Sequence, residues 1–251
     1  MRFLSKSISV LGHVLALLAC CAPVSAGDPV PEADAHWQAV GRLTGPGFRM
    51  KRGCSGTLIA PDLVVTAAHC MLGAQGNPEN QQFFAGWHKG ASVATRGYTE
   101  ISLHPLYTGR HRPAKLRNDI AVVRLSSPIP TDVLRPVDLV SVQDPLPDRA
   151  VLLGYPHSQR DILQVQHGCT RVPYAYPKIL RFDCAVESGT SGGAVFADAP
   201  GTPALSAVIV ARNEPDGTAI AVPVNLWLRE KHAQAMERAA QTGTGKMDPD
   251  L

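Results

Sequence analysis

Eleven short runs rich in Val, Ile, Thr and aromatic residues, each closed off by turn residues, constrain this chain more than any other feature. Five come first: "GTLIA" (Gly56 to Ala60), "LVVTAA" (Leu63 to Ala68), "QQFFAGW" (Gln81 to Trp87), "ASVATRGYTEISLH" (Ala91 to His104) and "DIAVVRL" (Asp119 to Leu125). A Pro-rich stretch, Ser126 to Ala150, reads as a crossover. Six more follow: "AVLLGYP" (Ala150 to Pro156), "DILQVQHGCTRV" (Asp161 to Val172), "ILRFDCAV" (Ile179 to Val186), "GGAVFA" (Gly192 to Ala197), "ALSAVIVA" (Ala204 to Ala211) and "GTAIAVPV" (Gly217 to Val224). Branched and aromatic side chains fit a pleated, half-buried surface, so these runs predict strands. With 21 Pro and 22 Gly scattered along the chain, many short strands are favoured over long helices, which points to an all-β fold.

At 251 residues the chain can bury a full core, and the runs divide it into two β halves of similar size. The expected boundaries are a first half over 27–138, a second over 139–224, a helix over 225–241 and a disordered tail over 242–251. The helix rests on "NLWLREKHAQAMERAAQ", where Asn225 can cap and Leu226, Leu228, Ala233 and Met236 give an apolar side.

Residues 1–26 read as a removable export signal rather than as part of the fold. Arg2 and Lys6 precede the apolar run Ile8 to Ala22, and Val24, Ser25 and Ala26 supply the small residues of a cleavage site. The run is interrupted by His13 and falls short of the roughly 20 apolar residues that a spanning helix needs. Export places the mature chain outside the cell or in a periplasm. "LLAC" (Leu17 to Cys20) also looks like a lipoprotein box, which would anchor the chain through a lipid on Cys20; without it no stable membrane insertion is expected. Gly27 to Asp34 reads as a linker or short pro-segment.

Losing the signal removes two positive charges, taking the formal net charge from +3 to +1. That balance offers no nucleic-acid surface, and the short basic cluster "RHRPAKLR" (Arg110 to Arg117) reads as a solvated loop. Four cysteines remain after the signal, Cys54, Cys70, Cys169 and Cys184, and an even number in an oxidising compartment reads as two disulfides. A zinc site competes for them, but no C-x-x-C pair or H-E-x-x-H string is present. No cofactor or metal is expected.

Three residues fit the parts of a nucleophilic hydrolase, which needs an attacking hydroxyl, a base and a carboxylate to orient the base. Ser191 lies in "ESGTSGGAVF" (Glu187 to Phe196), where glycines let backbone amides turn inward; Gly189 and Ser191 are the natural donors to a developing oxyanion. Taken alone, the string also suits an ordinary glycine-rich turn. His69 ends an apolar strand next to Cys70, and a bridge from Cys70 to Cys54 would hold its backbone still, contributing about 3 kcal/mol in the chain-entropy model. Asp119 opens the apolar run "DIAVVRL", where a buried carboxylate needs a hydrogen-bonded partner; a turn-capping aspartate is the plainer reading.

The strings "SGTLIAPDLVVTAAHC", "HPLYTGR" and "RNDIAVVRL", "VLLGYP" and "FDCAVESGTSGGAVF" together resemble the chymotrypsin-like (trypsin-fold) serine peptidases, and more closely their bacterial trypsin-like and glutamyl-endopeptidase-like branch. The resemblance spans roughly Trp37 to Trp227 and includes the order His, Asp, Ser. It implies two antiparallel Greek-key barrels with the site between them, His69 as general base, Asp119 as its orienting partner and Ser191 as nucleophile. It also implies a second bridge, Cys169 to Cys184, and a secreted, monomeric endopeptidase acting on protein or peptide substrates. The alternative of another class is a catalytically silent trypsin-fold protein that binds a partner in the same cleft.

Three departures stand out. Animal digestive relatives place an aspartate before the serine and pair it with a freshly cut N-terminus; this chain has Thr190. Six residues before Ser191, where a trypsin has aspartate, stands Ala185, and the glutamyl-specific histidine is replaced by Ala211. Arg212 could attract an acidic side chain, although an exposed strand-end arginine is its plainer reading.

Overall fold

The structure is a computed structural model that describes residues 28–29, 37–44, 53–72, 74, 78–109 and 112–244. The export signal over 1–26, with Cys20, and residues 245–251 of the expected 242–251 tail lie outside the described residues, as do residues 27 and 30–34 of the linker-like stretch and residues 110–111 of the basic cluster. No helix among the described residues is long and apolar enough to cross a membrane.

The first barrel is built from β2 (Val40–Thr44), β3 (Cys54–Ala60), β4 (Leu63–Thr66), β5 (Gln82–Ala85), β6 (Ala94–Leu103) and β7 (Ala121–Leu125). These close in the order β2-β3-β4-β7-β6-β5, every pairing antiparallel. Closure leaves no unpaired edge. Leu58, Val64, Val65, Phe83, Ile120 and Val123 belong to its core cluster and have no exposed surface.

The second barrel uses β8 (Arg149–Gly154), β9 (Gln164–Val172), β10 (Leu180–Ala185), β11 (Ala194–Ala197), β12 (Leu205–Arg212) and β13 (Thr218–Pro223). They run β9-β10-β13-β12-β11-β8, and β8 returns to β9 to close the ring. The two six-stranded antiparallel barrels are the all-β architecture that the resemblance implied, and one α-helix follows them among the described residues.

All eleven expected runs contain a strand, and two strands were not expected. β2, "VGRLT", escapes notice because Arg42 breaks its apolar pattern, yet the Arg42 side chain is only 2% exposed. Its guanidinium lies 5.7 Å from the Trp87 ring centroid and 3.6 Å from Asp161. β1 (Asp28–Pro29), inside the linker-like stretch, pairs with β9 at Val165 and Gln164, a part of β9 that β10 does not reach.

The helix α1 runs Leu226–Thr244, three residues past its expected end. Asn225 caps it: its Oδ1 accepts the Leu228 N–H at 2.9 Å. The apolar side differs from the expectation. Leu228 and Ala235 are buried, whereas Leu226, Ala233 and Met236 face solvent. Half-buried His232 completes the 228, 232, 235 stripe, which a count of apolar residues alone misses. Arg238 ties the helix to the first barrel through both carboxylate oxygens of Asp62, at 3.1 and 3.3 Å.

Candidate active site

His69 sits where β4 ends and a short 3-10 helix, Ala68–Met71, begins. Next to it, Cys70 is bonded to Cys54, the first residue of β3, with Cα atoms 6.2 Å apart. This closes strand β3 against the turn that carries the imidazole. Asp119 caps the C-terminus of the 3-10 helix Pro113–Asn118 just ahead of β7, and its side chain is 1% exposed. Burying a carboxylate there requires donors, and His69 supplies two. Its backbone N–H donates to Asp119 Oδ1 and its Nδ1 lies against Oδ2, both at 2.8 Å. A carboxylate only accepts, so the proton of a neutral imidazole belongs on Nδ1 and Nε2 is left as a base.

Tyr107 stands close enough to Asp119 to feel its charge. Burial, with Asp119 adding to it, pushes the phenol up to about 12.

Ser191 lies in the turn between β10 and β11. Ser191 and His69 line the same cleft, a cavity of about 600 Å3 whose walls include Leu116, Tyr174, Val186 and Ile220. Contacts between a nucleophile and its base are often long without substrate and tighten in the reacting complex.

The turn before Ser191 is fixed by its carbonyls. Ser188 C=O accepts the His157 N–H at 2.8 Å, and Gly189 C=O accepts the Ser55 hydroxyl at 2.9 Å. Thr190 C=O accepts the Gly193 N–H and Ser191 C=O accepts the Ser55 N–H, each at 2.8 Å. In a trans peptide the N–H points opposite to the C=O, so holding Ser188 C=O against His157 turns the Gly189 N–H the other way. Among the described residues, neither the Gly189 nor the Ser191 N–H is spent on a protein acceptor. Gly189, at φ +96°, and Gly192, at φ +83°, take backbone angles that a side chain resists. A Cβ on Gly192 would also lie 2.0 Å from Ser55 O.

The second disulfide, Cys169–Cys184, staples β9 to β10 with Cα atoms 5.3 Å apart. Cys54, Cys70 and His69 are the one cluster of metal-ligand atoms among the described residues, but the two sulfurs are bonded to each other and offer no thiolate. At the cleft rim, Arg212 is exposed and paired with Glu214 at 3.3 Å, while Ala211 lines the cavity. Thr190, where digestive relatives carry a charge, is buried and bears none; a Cβ on Gly154 would meet its methyl at 2.7 Å. Sequence reading missed Ser55 and His157. The one available signal was that Ser55 adjoins a cysteine of the histidine's staple.

Comparison with known proteins agrees with this architecture. A solved structure described as a Glu endopeptidase in complex with MPD superposes with a TM-score of 0.64 over 86% of this chain and 97% of its own, at 17% identity, which speaks to the fold. The family model described as Trypsin matches residues 24–228, and the chain belongs to the trypsin family. Among its relatives are a vitellin-degrading protease of Bombyx mori, 29% identical over 45% of this chain, and a trypsin of Sarcophaga bullata, 29% identical over 41%. Transmembrane protease serine 11C of Mus musculus is 35% identical over 42% of this chain. The matched stretches span 42%, 39% and 22% of those three proteins respectively.

Proposed function

We propose that this chain is an exported serine endopeptidase of the bacterial, glutamyl-endopeptidase-like branch of its family, acting through Ser191, His69 and Asp119. The observation that carries the reading is the double grip of Asp119 on His69, ring and main chain, at the edge of the cleft that Ser191 lines. Thr190 in place of an aspartate supports the branch.

In the reaction, neutral His69 accepts the Ser191 hydroxyl proton at Nε2 as Oγ bonds to the peptide carbonyl carbon. The carbonyl oxygen becomes negative and is met by the N–H groups of Gly189 and Ser191. Asp119 stays ionised and steadies the imidazolium, which then passes its proton to the leaving amine as the C–N bond breaks. Water, deprotonated by His69, attacks the acyl-enzyme and releases the second product, restoring the Ser191 hydroxyl.

The test is casein hydrolysis and labelling by a fluorophosphonate, comparing the wild type with Ser191→Ala. Turnover should fall by several orders of magnitude while the melting temperature holds. Equal hydrolysis by the two proteins would end the assignment. The alternative, a silent binding protein with the same cleft, would take up no fluorophosphonate at any pH.

A further inference from the structure

We infer that Ser55 is a positioning residue that sets the oxyanion pocket from the opposite barrel, by locking the Gly189–Ser191 turn through its hydroxyl and its own N–H. The inference rests on the reading that the Gly189 and Ser191 amides face the substrate oxygen, and it deepens that reading.

Ser55 lies on β3 of the first barrel and has no exposed surface. Its hydroxyl works in both directions across the barrel interface. It donates to Gly189 C=O at 2.9 Å and accepts the Tyr155 N–H at 2.9 Å. Its main chain takes part as well: the N–H donates to Ser191 C=O, and the C=O accepts the Thr66 hydroxyl at 2.8 Å. Ser55 thus holds two of the four carbonyls from 188 to 191, and it links the turn to the end of β8.

The turn needs such a device because of its glycines. Gly189 can rotate with little steric cost, and a flip of the Ser188–Gly189 peptide would re-aim an amide that has no protein acceptor among the described residues. The Gly189–Thr190 peptide lies between the two donor peptides; its N–H donates to Glu187 C=O at 3.2 Å, and the Ser55 hydroxyl fixes its C=O from the opposite barrel. A main-chain group cannot substitute, because only a hydroxyl both donates and accepts from one atom here. A charged residue at position 190 cannot serve either, since Thr190 is neutral and packed on Gly154. The turn is therefore braced by an interior serine together with the His157 and Gly193 amides, while position 190 carries no charge.

The experiment compares wild type, Ser55→Ala and Ser55→Thr in the full chain. It uses a fluorogenic peptide taken from wild-type cleavage profiling, the fluorophosphonate, and amide hydrogen exchange at Tyr155, Thr190 and Gly193. Losing one oxyanion donor outright costs about 100- to 1000-fold in kcat, so loosening the turn through Ser55→Ala should cost about 10-fold or more, with KM changed less than about twofold. Exchange at Tyr155 should accelerate, and Ser55→Thr, which keeps the hydroxyl, should recover kcat to within about threefold. A Ser55→Ala enzyme with wild-type kcat and unchanged exchange overturns the inference. If Ser55→Ala does not fold, the wild-type Tyr155 amide decides: protection like that of the core strands supports the brace, and exchange like that of an exposed loop overturns it. A wild type that neither cleaves nor labels would defeat the proposed function instead, and the exchange measurements would still judge the brace.

Discussion

Asp119 holds His69 at two points, accepting the backbone N–H with Oδ1 and facing Nδ1 with Oδ2, both at 2.8 Å. Replacing Asp119 by Asn keeps one accepting oxygen but turns an NH2 towards the ring or the main chain. The imidazole then favours the tautomer with its proton on Nε2, where it cannot accept from Ser191. Asp119→Asn should fold normally and lose about 10,000-fold in kcat at neutral pH, by analogy with the same change in the triad template. Steady-state kinetics alongside a thermal melt check this; activity within tenfold of wild type would mean that the carboxylate does not set the tautomer.

The staple between Cys54 and Cys70 joins the histidine turn to β3, 16 residues apart in sequence. Its removal by a double Cys→Ala change should lower stability by about 3 kcal/mol, because the unfolded chain regains the entropy of the open loop. For a chain of this size that corresponds to a fall in melting temperature of roughly 6 to 12 °C. Activity should suffer at temperatures where the protein is still folded, since β3 also carries Ser55. Differential scanning calorimetry of the double variant gives the first quantity, and peptide hydrolysis well below its melting point gives the second.

Most of the barrel strands were legible because β-branched runs such as "LVVT" and "AVVRL" carry their own strand signal, and Gly and Pro punctuate them. β2 was not, because Arg42 is buried by its partners Trp87 and Asp161, which are distant in sequence. The candidate residues His69, Asp119 and Ser191 could be picked out because each is a side chain inside a recognisable string. Ser55 and His157 were hidden because they act on carbonyls of the 188–191 turn, and main-chain acceptors leave no mark in a sequence. The helix stripe was misread for a related reason: His232 supports burial there, and polar residues do not count in an apolar pattern.

Arg42 presents a second test of packing against charge. Burial lowers the affinity of its guanidinium for a proton, and Asp161 offsets part of this. The Asp161 side chain is 54% exposed, so water screens the pair and its Coulombic worth is small. The stem and the stacking on Trp87 therefore matter more than the charge. Arg42→Met, which fills the same space, should leave stability within about 1 kcal/mol of wild type or raise it. Arg42→Ala opens a cavity beside Trp87 and should cost about 2 to 4 kcal/mol. Urea unfolding of both variants separates the two contributions; equal losses would show that the charge, and not the volume, is what the barrel requires.

Tyrosines govern the alkaline limit of the fold. Burial raises the phenols of Tyr98 and Tyr155, and Tyr107, beside Asp119, is pushed up to about 12. An unfolded tyrosine ionises near 10, so above that pH the native state binds more protons than the unfolded state. The stability due to these groups is complete below pH 10 and is lost as pH rises through the raised native values. Tyr107 isolates the effect because its hydroxyl has no hydrogen-bond partner among the described residues, so Tyr107→Phe removes the titration with little else. The melting temperature of Tyr107→Phe should match wild type near neutral pH and decline less steeply between about pH 10 and 12. Phenolate absorbance should show the wild-type transition coinciding with unfolding. Parallel decline of the two proteins across that window would mean that Tyr107 ionises freely in the native state and that its place beside Asp119 adds nothing to the alkaline loss.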